Sequence, residues 1–285
     1  MPAIATRCIA CDASRLERQS AVLMPFVAQR ALLQQACEVT PAWGLASVPT
    51  GHALPLCSTL HCPACGMLFC DLRFDDAEMA RLYDGYRDAA YAAERERFEP
   101  GYAERNAKFV AGDAHIAAVE DILRPWLPAQ PALLDWGGDT GLNTPLRAAA
   151  RLHHVLEISG KATLPGVVAV DEAAAREHRY DLVVLSNVLE HLPDPLALLR
   201  RVCLLLGTGS KLYVEVPFEA LMRDAESDAT AWTKKRHWHE HVNFFSPCAL
   251  RRLLDRAGLR TLDARLIELP ASGGVLQQAL LCERG

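Results

Sequence analysis

No apolar run in the sequence approaches the roughly 18 residues that a membrane-spanning helix needs. The longest, at 181–185 and 201–206, have the length of core strands or core helices. The opening residues, MPAIATRCIACDASR, hold no apolar segment of the kind that directs secretion. Positive charge is not in excess either. Lys and Arg number 30 against 35 Asp and Glu, a formal net charge of -5, so the basic footprint that nucleic acid or an anionic membrane attracts is missing. Internal repeats, low-complexity tracts and the GxGxxG spacing of pyrophosphate-binding dehydrogenases are also lacking. These absences predict a cytoplasmic chain with no membrane span and no nucleic-acid partner, acting on a small molecule. They say nothing of oligomeric state. The 285 residues, 51% of them hydrophobic, suffice for one large α/β domain and a small appendage.

Cysteine is what the sequence has in quantity. Of ten, seven fall in the first 70 residues, and four form two CxxC pairs, Cys8 with Cys11 and Cys62 with Cys65. Four thiolates at this spacing suit tetrahedral zinc, and Gly66 after the second pair helps the knuckle turn. No thioredoxin-like βαβ pattern surrounds either pair, which argues against redox chemistry. The alternative is free thiols in a small core. Cys57, His61 and Cys70 are substitute ligands, whereas Cys37, Cys203, Cys248 and Cys282 sit in apolar patterns expected to be buried. Residues 1–73 therefore read as a cysteine-rich zinc-binding module, with a helix over 26–37.

Residues 74–130 read as a helical linker and lid. Charged, tyrosine-bearing helices, carrying Tyr83, Tyr86, Tyr91 and Tyr102, meet at the Pro100-Gly101 turn. A long amphipathic helix follows, with Phe109, Ile116, Val119, Ile122 and Leu123 on one side, and stops near Pro125. From 131 to 285 strands and helices alternate. Strands are expected at 132–136, 153–158, 167–170, 181–186 and 211–216, the last closed by Pro217. Helices are expected after Thr144 and Pro145, at 196–206 and at 247–257. A final strand pair is expected at 261–268 and 275–282. This alternation predicts an α/β fold: a Rossmann-like doubly wound sheet with a final antiparallel pair.

The first strand of that sheet runs into a glycine-rich turn, LLDWGGDTG, where Asp135, Gly137, Gly138, Asp139 and Gly141 let the backbone pass close to a ligand. Glu157 ends the next strand, where an acid can accept from both hydroxyls of a ribose. Asp171 ends the third, within reach of an adenine amino group, and Asn187 ends the fourth. At this point the sequence resembles the class I S-adenosylmethionine-dependent methyltransferases, whose first motif is acid-x-Gly-x-Gly-x-Gly. Asp135, Gly137 and Gly141 match it, and Asp139 replaces the middle glycine. The block YDLVVLSNVLEHLPDPLALLRRVCLLLGTGSKLYVEVP and the segment HWHEHVNFFSPCALRRLLDRAGL carry the resemblance onward. It implies S-adenosylmethionine as cofactor.

Four of the ten histidines lie in two short segments, His191 in NVLEHLPDP and His237, His239 and His241 in RHWHEHVNFFS. Histidine removes a proton near neutral pH. Both segments follow strands at the end of the sheet where such folds bind ligands. The WHEH segment resembles the YHEH motif of sugar C-methyltransferases, which also carry an N-terminal four-cysteine zinc module. That resemblance implies a sugar acceptor, nucleotide-linked or lipid-linked. It also implies that His241 and Glu240 are acid/base residues, with His239 beside them and His191 as second candidate. Trp238 stands where that family has tyrosine, and its further C-terminal domain does not follow, so oxygen and carbon methylation both stay open. The competing expectation is a non-catalytic cofactor-binding or scaffold protein assembling through its zinc module. Asp139 favours that alternative.

Overall fold

The computed structural model describes residues 2–44, 50–110, 115–158, 160–225, 228–269 and 275–285. The N-terminal part holds β1 (Ala3–Ile4), β2 (Glu17–Leu23), α1 (Pro25–Leu32), β3 (Cys37–Val39), β4 (Gly51–Ala53), β5 (Leu56–His61), β6 (Leu68–Cys70) and β7 (Leu72–Arg73). Four helices follow: α2 (Asp76–Tyr83), α3 (Ala89–Phe98), α4 (Tyr102–Val110) and α5 (Ile116–Leu123). The expected amphipathic helix thus appears as α4 and α5; residues 111–114 and the Phe109 side chain lie outside the described residues. Asp75 and Glu78 form a capping box at the start of α2, and Asp88 caps α3.

The remainder comprises β8 (Ala132–Trp136), β9 (Leu152–Leu156), β10 (Val168–Ala169), α6 (Glu172–Arg176), β11 (Leu182–Ser186), α7 (Pro195–Cys203), β12 (Lys211–Phe218), α8 (Ala220–Asp224), β13 (His237–Trp238), β14 (Asn243–Phe244), α9 (Pro247–Arg256), β15 (Leu259–Leu269) and β16 (Val275–Arg284). Seven of these strands form one sheet in the order β10-β9-β8-β11-β12-β16-β15. The first five run parallel, and β16 is antiparallel to both its neighbours. This is the Rossmann-like sheet with a final antiparallel pair. Apart from Asp135 and the terminal Ser186, β8 and β11 are apolar on both faces because helices cover both; Leu134, Val183 and Leu212 pair across the centre and are wholly buried.

Several local expectations do not hold. No α-helix follows Thr144 and Pro145; residues 141–150 form turns and one 3-10 turn, since β9 begins too soon for a helix. Pro217 does not close β12 but pairs with Gln277 inside it. Its missing N–H is tolerated near the strand end. Cys203 and Cys282 are buried as expected, whereas Cys37 and Cys248 are exposed.

The larger departure concerns the N-terminal part. Its main sheet has five strands in the order β13-β2-β5-β6-β14. The two edge strands, β13 and β14, come from the histidine segment. β13 runs parallel to β2, with His237 opposite Val22, and β14 antiparallel to β6, with Asn243 opposite Phe69. One hydrophobic cluster also runs from Cys8, Leu60 and Phe69 through Leu134 and Val183 to Leu250 and Leu254. The boundary drawn at residue 73 therefore separates neither two sheets nor two cores.

Candidate active site

The predicted cofactor residues line the carboxyl edge of the parallel strands. β8 runs into the glycine turn, β9 ends before Glu157, β10 stops short of Asp171, and β11 ends before Asn187. Gly137 and Gly141 have φ of 82°, and Asp139 between them has φ of 52°. The position where the motif has its middle glycine is thus left-handed, and aspartate is one of the few other residues that visit that region. Lys161 Nζ lies 3.1 Å from the Asp139 carboxylate, and Arg87, between α2 and α3, lies 4.0 Å from it. Gly138 serves the chain itself: a Cβ there would lie 2.5 Å from Asp135 Cγ.

Asp135 is buried and accepts from the Thr144 hydroxyl at 2.5 Å, while His153 Nε2 approaches that hydroxyl at 2.9 Å. Burial pushes Asp135 up to about 7, against the opposing pull of the Thr144 hydrogen bond. Glu157 accepts from the backbone N–H of Asp139 at 3.0 Å and of Ile158 at 2.9 Å, so it shapes the turn. Asp171 is exposed and caps α6 through Ala174 N. Asn187, at φ 54°, donates to Glu215 Oε1 at 3.2 Å. Glu215 is wholly buried and also accepts from the Tyr213 hydroxyl at 2.6 Å, with His115 Nε2 3.0 Å away. Sequence reasoning missed this glutamate. Its only signal was one acid inside the apolar strand KLYVEVPF.

Both histidine segments reach the same place. The loop 187–194 is held by two residues beyond it. Arg73 donates to the carbonyls of Leu192 and Pro193 and to Asn243 Oδ1; Asn243 Nδ2 donates to the carbonyls of Leu189 and Leu192. This sets the His191 ring edge-on to His241, centroids 4.6 Å apart, with His239 5.0 Å from His241. His191 Nδ1 lies 2.8 Å from the Tyr83 hydroxyl and 3.2 Å from the Glu240 carbonyl. Burial first, and then the His241 charge, hold the His191 imidazole well below its ordinary value.

Among the described residues no hydrogen bond joins the Glu240 carboxylate to the His241 ring. The chain bends at Glu240, and the Glu240 carboxylate meets Arg95 and, at 3.3 Å, His239 Nδ1. Burial opposes its charge, but the hydrogen bond with His239 and the charges of His239 and Arg95 hold it well below the usual carboxylate range. The partner of His241 is Glu219, with Oε1 3.2 Å from Nδ1. Burial opposes the imidazolium here too, yet the Glu219 hydrogen bond and the charges of Glu190, Glu240 and Glu219 raise His241 above its ordinary value. Glu190, beside His191, is buried, and neither of its carboxylate oxygens has a hydrogen-bond partner.

The tyrosines form a chain of edge-on and tilted contacts, Tyr83–Tyr86 at 5.2 Å, Tyr86–Tyr91 at 5.4 Å and Tyr91–Tyr102 at 6.3 Å. Trp238 lies outside the site. It is wholly buried, and its indole donates to Thr59 Oγ1 in the N-terminal sheet. A cleft of ≈ 600 Å³ lined by Trp232, Met222 and Cys248 opens elsewhere, beside the second CxxC loop.

The four CxxC sulfurs converge. Cys8 Sγ lies 3.6 Å from Cys65 Sγ and Cys11 Sγ 3.6 Å from Cys62 Sγ, and all four lie within 4.8 Å of one another. A tetrahedral ion with Zn–S near 2.3 Å separates its sulfurs by about 3.8 Å. The knuckles dock on α9: Ser246 donates to the Cys65 carbonyl, and Arg256 to those of Ile9 and Ala10. Of the substitute ligands, His61 pairs with Glu17 instead, and Cys57 and Cys70 group with Asp71. Among the described residues no helix is long and apolar enough to cross a membrane.

A methyltransferase-domain family model matches residues 83–264. The ubiquinone biosynthesis O-methyltransferase of Aeromonas salmonicida is 29% identical over 118 residues, 40% of this chain and 49% of that protein. The enzyme of the same name from Thiobacillus denitrificans is 33% identical over 121 residues, 39% of this chain and 50% of its own length. The chain thus spans about half the length of these relatives. Among solved structures, the 1,6-didemethyltoxoflavin-N1-methyltransferase of Burkholderia thailandensis, bound to S-adenosylhomocysteine, aligns with a TM-score of 0.46 and 19% identity, over 69% of this chain and 90% of that one.

Proposed function

From the premise that the chain belongs to the methyltransferase-domain family, we propose that it transfers a methyl group from S-adenosylmethionine to a small polar acceptor, a nucleotide-linked or lipid-linked sugar. The observation that carries this reading is the convergence of His191 and His241 at the sheet edge that also bears the glycine turn. The donor set suits the cofactor. The Glu157 carboxylate lies at the end of β9 beside the glycine turn, where it can accept from a vicinal diol, Asp171 has one oxygen beside its cap, and Asn187 is oriented by Glu215. The cofactor supplies a methyl group already activated by its sulfonium charge.

The chain's own residues then align the acceptor and manage its proton. His241 directs Nδ1 at Glu219, which leaves the Nε2 lone pair for the acceptor's proton. His191, locked by Tyr83, is the second candidate, while His239 and Glu240 with Arg95 form the wall behind them. The tyrosine chain screens the site from water. The four-cysteine cluster would hold a structural zinc ion that ties the N-terminal loops to α9. The WHEH motif favours a sugar; whether oxygen or carbon receives the methyl group is for the assay to decide.

The test is methyl transfer to a panel of nucleotide sugars and phenols, with calorimetry of cofactor binding alongside. Glu157→Ala should weaken cofactor binding by about 1–3 kcal/mol, the cost of leaving buried polar partners unpaired. His241→Ala should slow turnover by about 10²–10⁴-fold and leave cofactor affinity unchanged. A chain that binds the cofactor but methylates nothing in the panel would instead be a binding or scaffold protein.

A further inference from the structure

We propose that Glu190, His191 and His241 bind one divalent transition-metal ion, through the Glu190 carboxylate and the two Nε2 atoms. These three side chains come from two distant segments, yet one ligand atom from each lies within 4.8 Å of the others. Glu190 supplies the strongest argument. Its side chain is 2% exposed, and neither oxygen has a hydrogen-bond partner. A buried carboxylate without donors is costly, and a cation removes that cost. No neighbouring cation reaches it with a hydrogen bond: Arg95 is taken by Glu240 and Glu99, and the His241 ring, whose charge Glu190 favours, makes its side-chain hydrogen bond to Glu219. His191 Nε2 lies 3.9 Å from Glu190 Oε1, a gap too long for a hydrogen bond.

The two imidazoles are arranged as ligands. A metal-binding histidine turns its second ring nitrogen to a carboxylate, a carbonyl or another polar partner, which sets the tautomer and aims the first. His241 Nδ1 faces Glu219, and His191 Nδ1 faces the Glu240 carbonyl and the Tyr83 hydroxyl. Nε2 of each ring is left without a hydrogen bond among the described residues. By contrast, in the cluster of Cys57, Cys70 and Asp71, the Asp71 carboxylate already accepts from Ser58 N and Arg18.

Two imidazoles and one carboxylate suit Mn²⁺, Fe²⁺ or Zn²⁺ better than the all-oxygen preferences of Ca²⁺ and Mg²⁺. Such a triad leaves coordination positions open. An ion there would hold and polarise an acceptor oxygen, which narrows the acceptor to a hydroxyl or a carbonyl-bearing molecule. This consequence rests on the acceptor side lying at this cluster. In the metal-bound state His241 is a ligand, and its role as proton acceptor belongs to the metal-free state.

Mn²⁺ is the probe, because it has little affinity for the four-thiolate cluster. Titration of the full chain with its four-thiolate zinc retained, followed by electron paramagnetic resonance and calorimetry, should find about one Mn²⁺ per chain. Glu190→Gln and His241→Gln should each abolish that binding. Glu219→Gln, which acts only through His241, should weaken it about 10–100-fold. Circular dichroism checks that the variants fold, and His241→Gln carries the test if Glu190→Gln does not. No Mn²⁺ binding by the wild-type chain, or binding unchanged in both ligand variants, overturns the proposal. Cofactor calorimetry on the same samples reports separately on the methyltransferase reading, since wild-type protein that fails to bind S-adenosylmethionine sinks that reading whatever the metal does.

Discussion

Asp135 shows how a residue's place can be read from sequence while its state is set elsewhere. Its place in the acid-x-Gly turn marks it as part of the site. Its burial, only partly opposed by the Thr144 hydrogen bond, puts its carboxyl near 7. The folded value lies above the unfolded one, so the stability that the neutral carboxyl contributes is fully present below pH 3.8 and is lost as pH rises through about 7. In the cofactor-free chain, wild type should therefore lose about 1.4 kcal/mol per pH unit relative to Asp135→Asn across that window. Denaturant unfolding of both proteins at several pH values measures the difference, and parallel curves would rule out the buried, protonated acid. Asp139 works at the same scale. It occupies a left-handed position that favours glycine, and its ion pair with Lys161 lies at a partly exposed site, where it offsets only about 1 kcal/mol or less of that strain.

At the scale of elements, the link between β13 and β14 positions the histidine cluster. Four residues, 239–242, cross between two edge strands of the N-terminal sheet, which fixes where His239 and His241 point. Asn243, in β14, is the joint. It is wholly buried, accepts from Arg73 and donates to two carbonyls of the His191 loop. Asn243→Ala leaves those partners buried without it, at about 1–3 kcal/mol for each unsatisfied group. It should lower stability by about 3 kcal/mol and cut turnover more than it weakens cofactor binding, because the glycine turn lies on other strands. A variant with unchanged kcat would show that the loop keeps its shape without this joint. The sequence offered no signal for this arrangement. HW and NF are too short to read as strands, and an asparagine beside a valine looks like any loop residue.

For the whole molecule, the N-terminal part acts as a brace and not as an appended module. Its sheet carries the histidine segment at both edges, Arg73 holds the His191 loop, and its cysteine knuckles pack on α9. If the proposed zinc ion locks those knuckles, its loss should reach the active site. Cys62→Ser should release about one thiolate-bound zinc per chain and reduce methyl transfer as well as thermal stability. Elemental analysis and an activity assay on the same sample test this. Retained activity with the metal gone would separate the brace from the chemistry.

Much was legible in the sequence because it depends on local pattern. The apolar runs at 132–136 and 181–186 became the centre of the parallel sheet, since a strand covered by helices on both faces must be apolar throughout. The paired CxxC spacings brought four sulfurs together, and the acids at successive strand ends lie along one edge. Pairing partners at long sequence separation were decided only by the tertiary structure. The WHEH resemblance put Glu240 and His241 together as acid/base residues; the fold gave Arg95 and His239 to Glu240 and Glu219 to His241. It placed a boundary at residue 73, whereas backbone hydrogen bonds of β2 and β6 needed partners and found them some 170–220 residues away in β13 and β14. Glu190 was an unremarked letter in NVLEHLPDP. Packing buried it, and the fold set two imidazoles beside it.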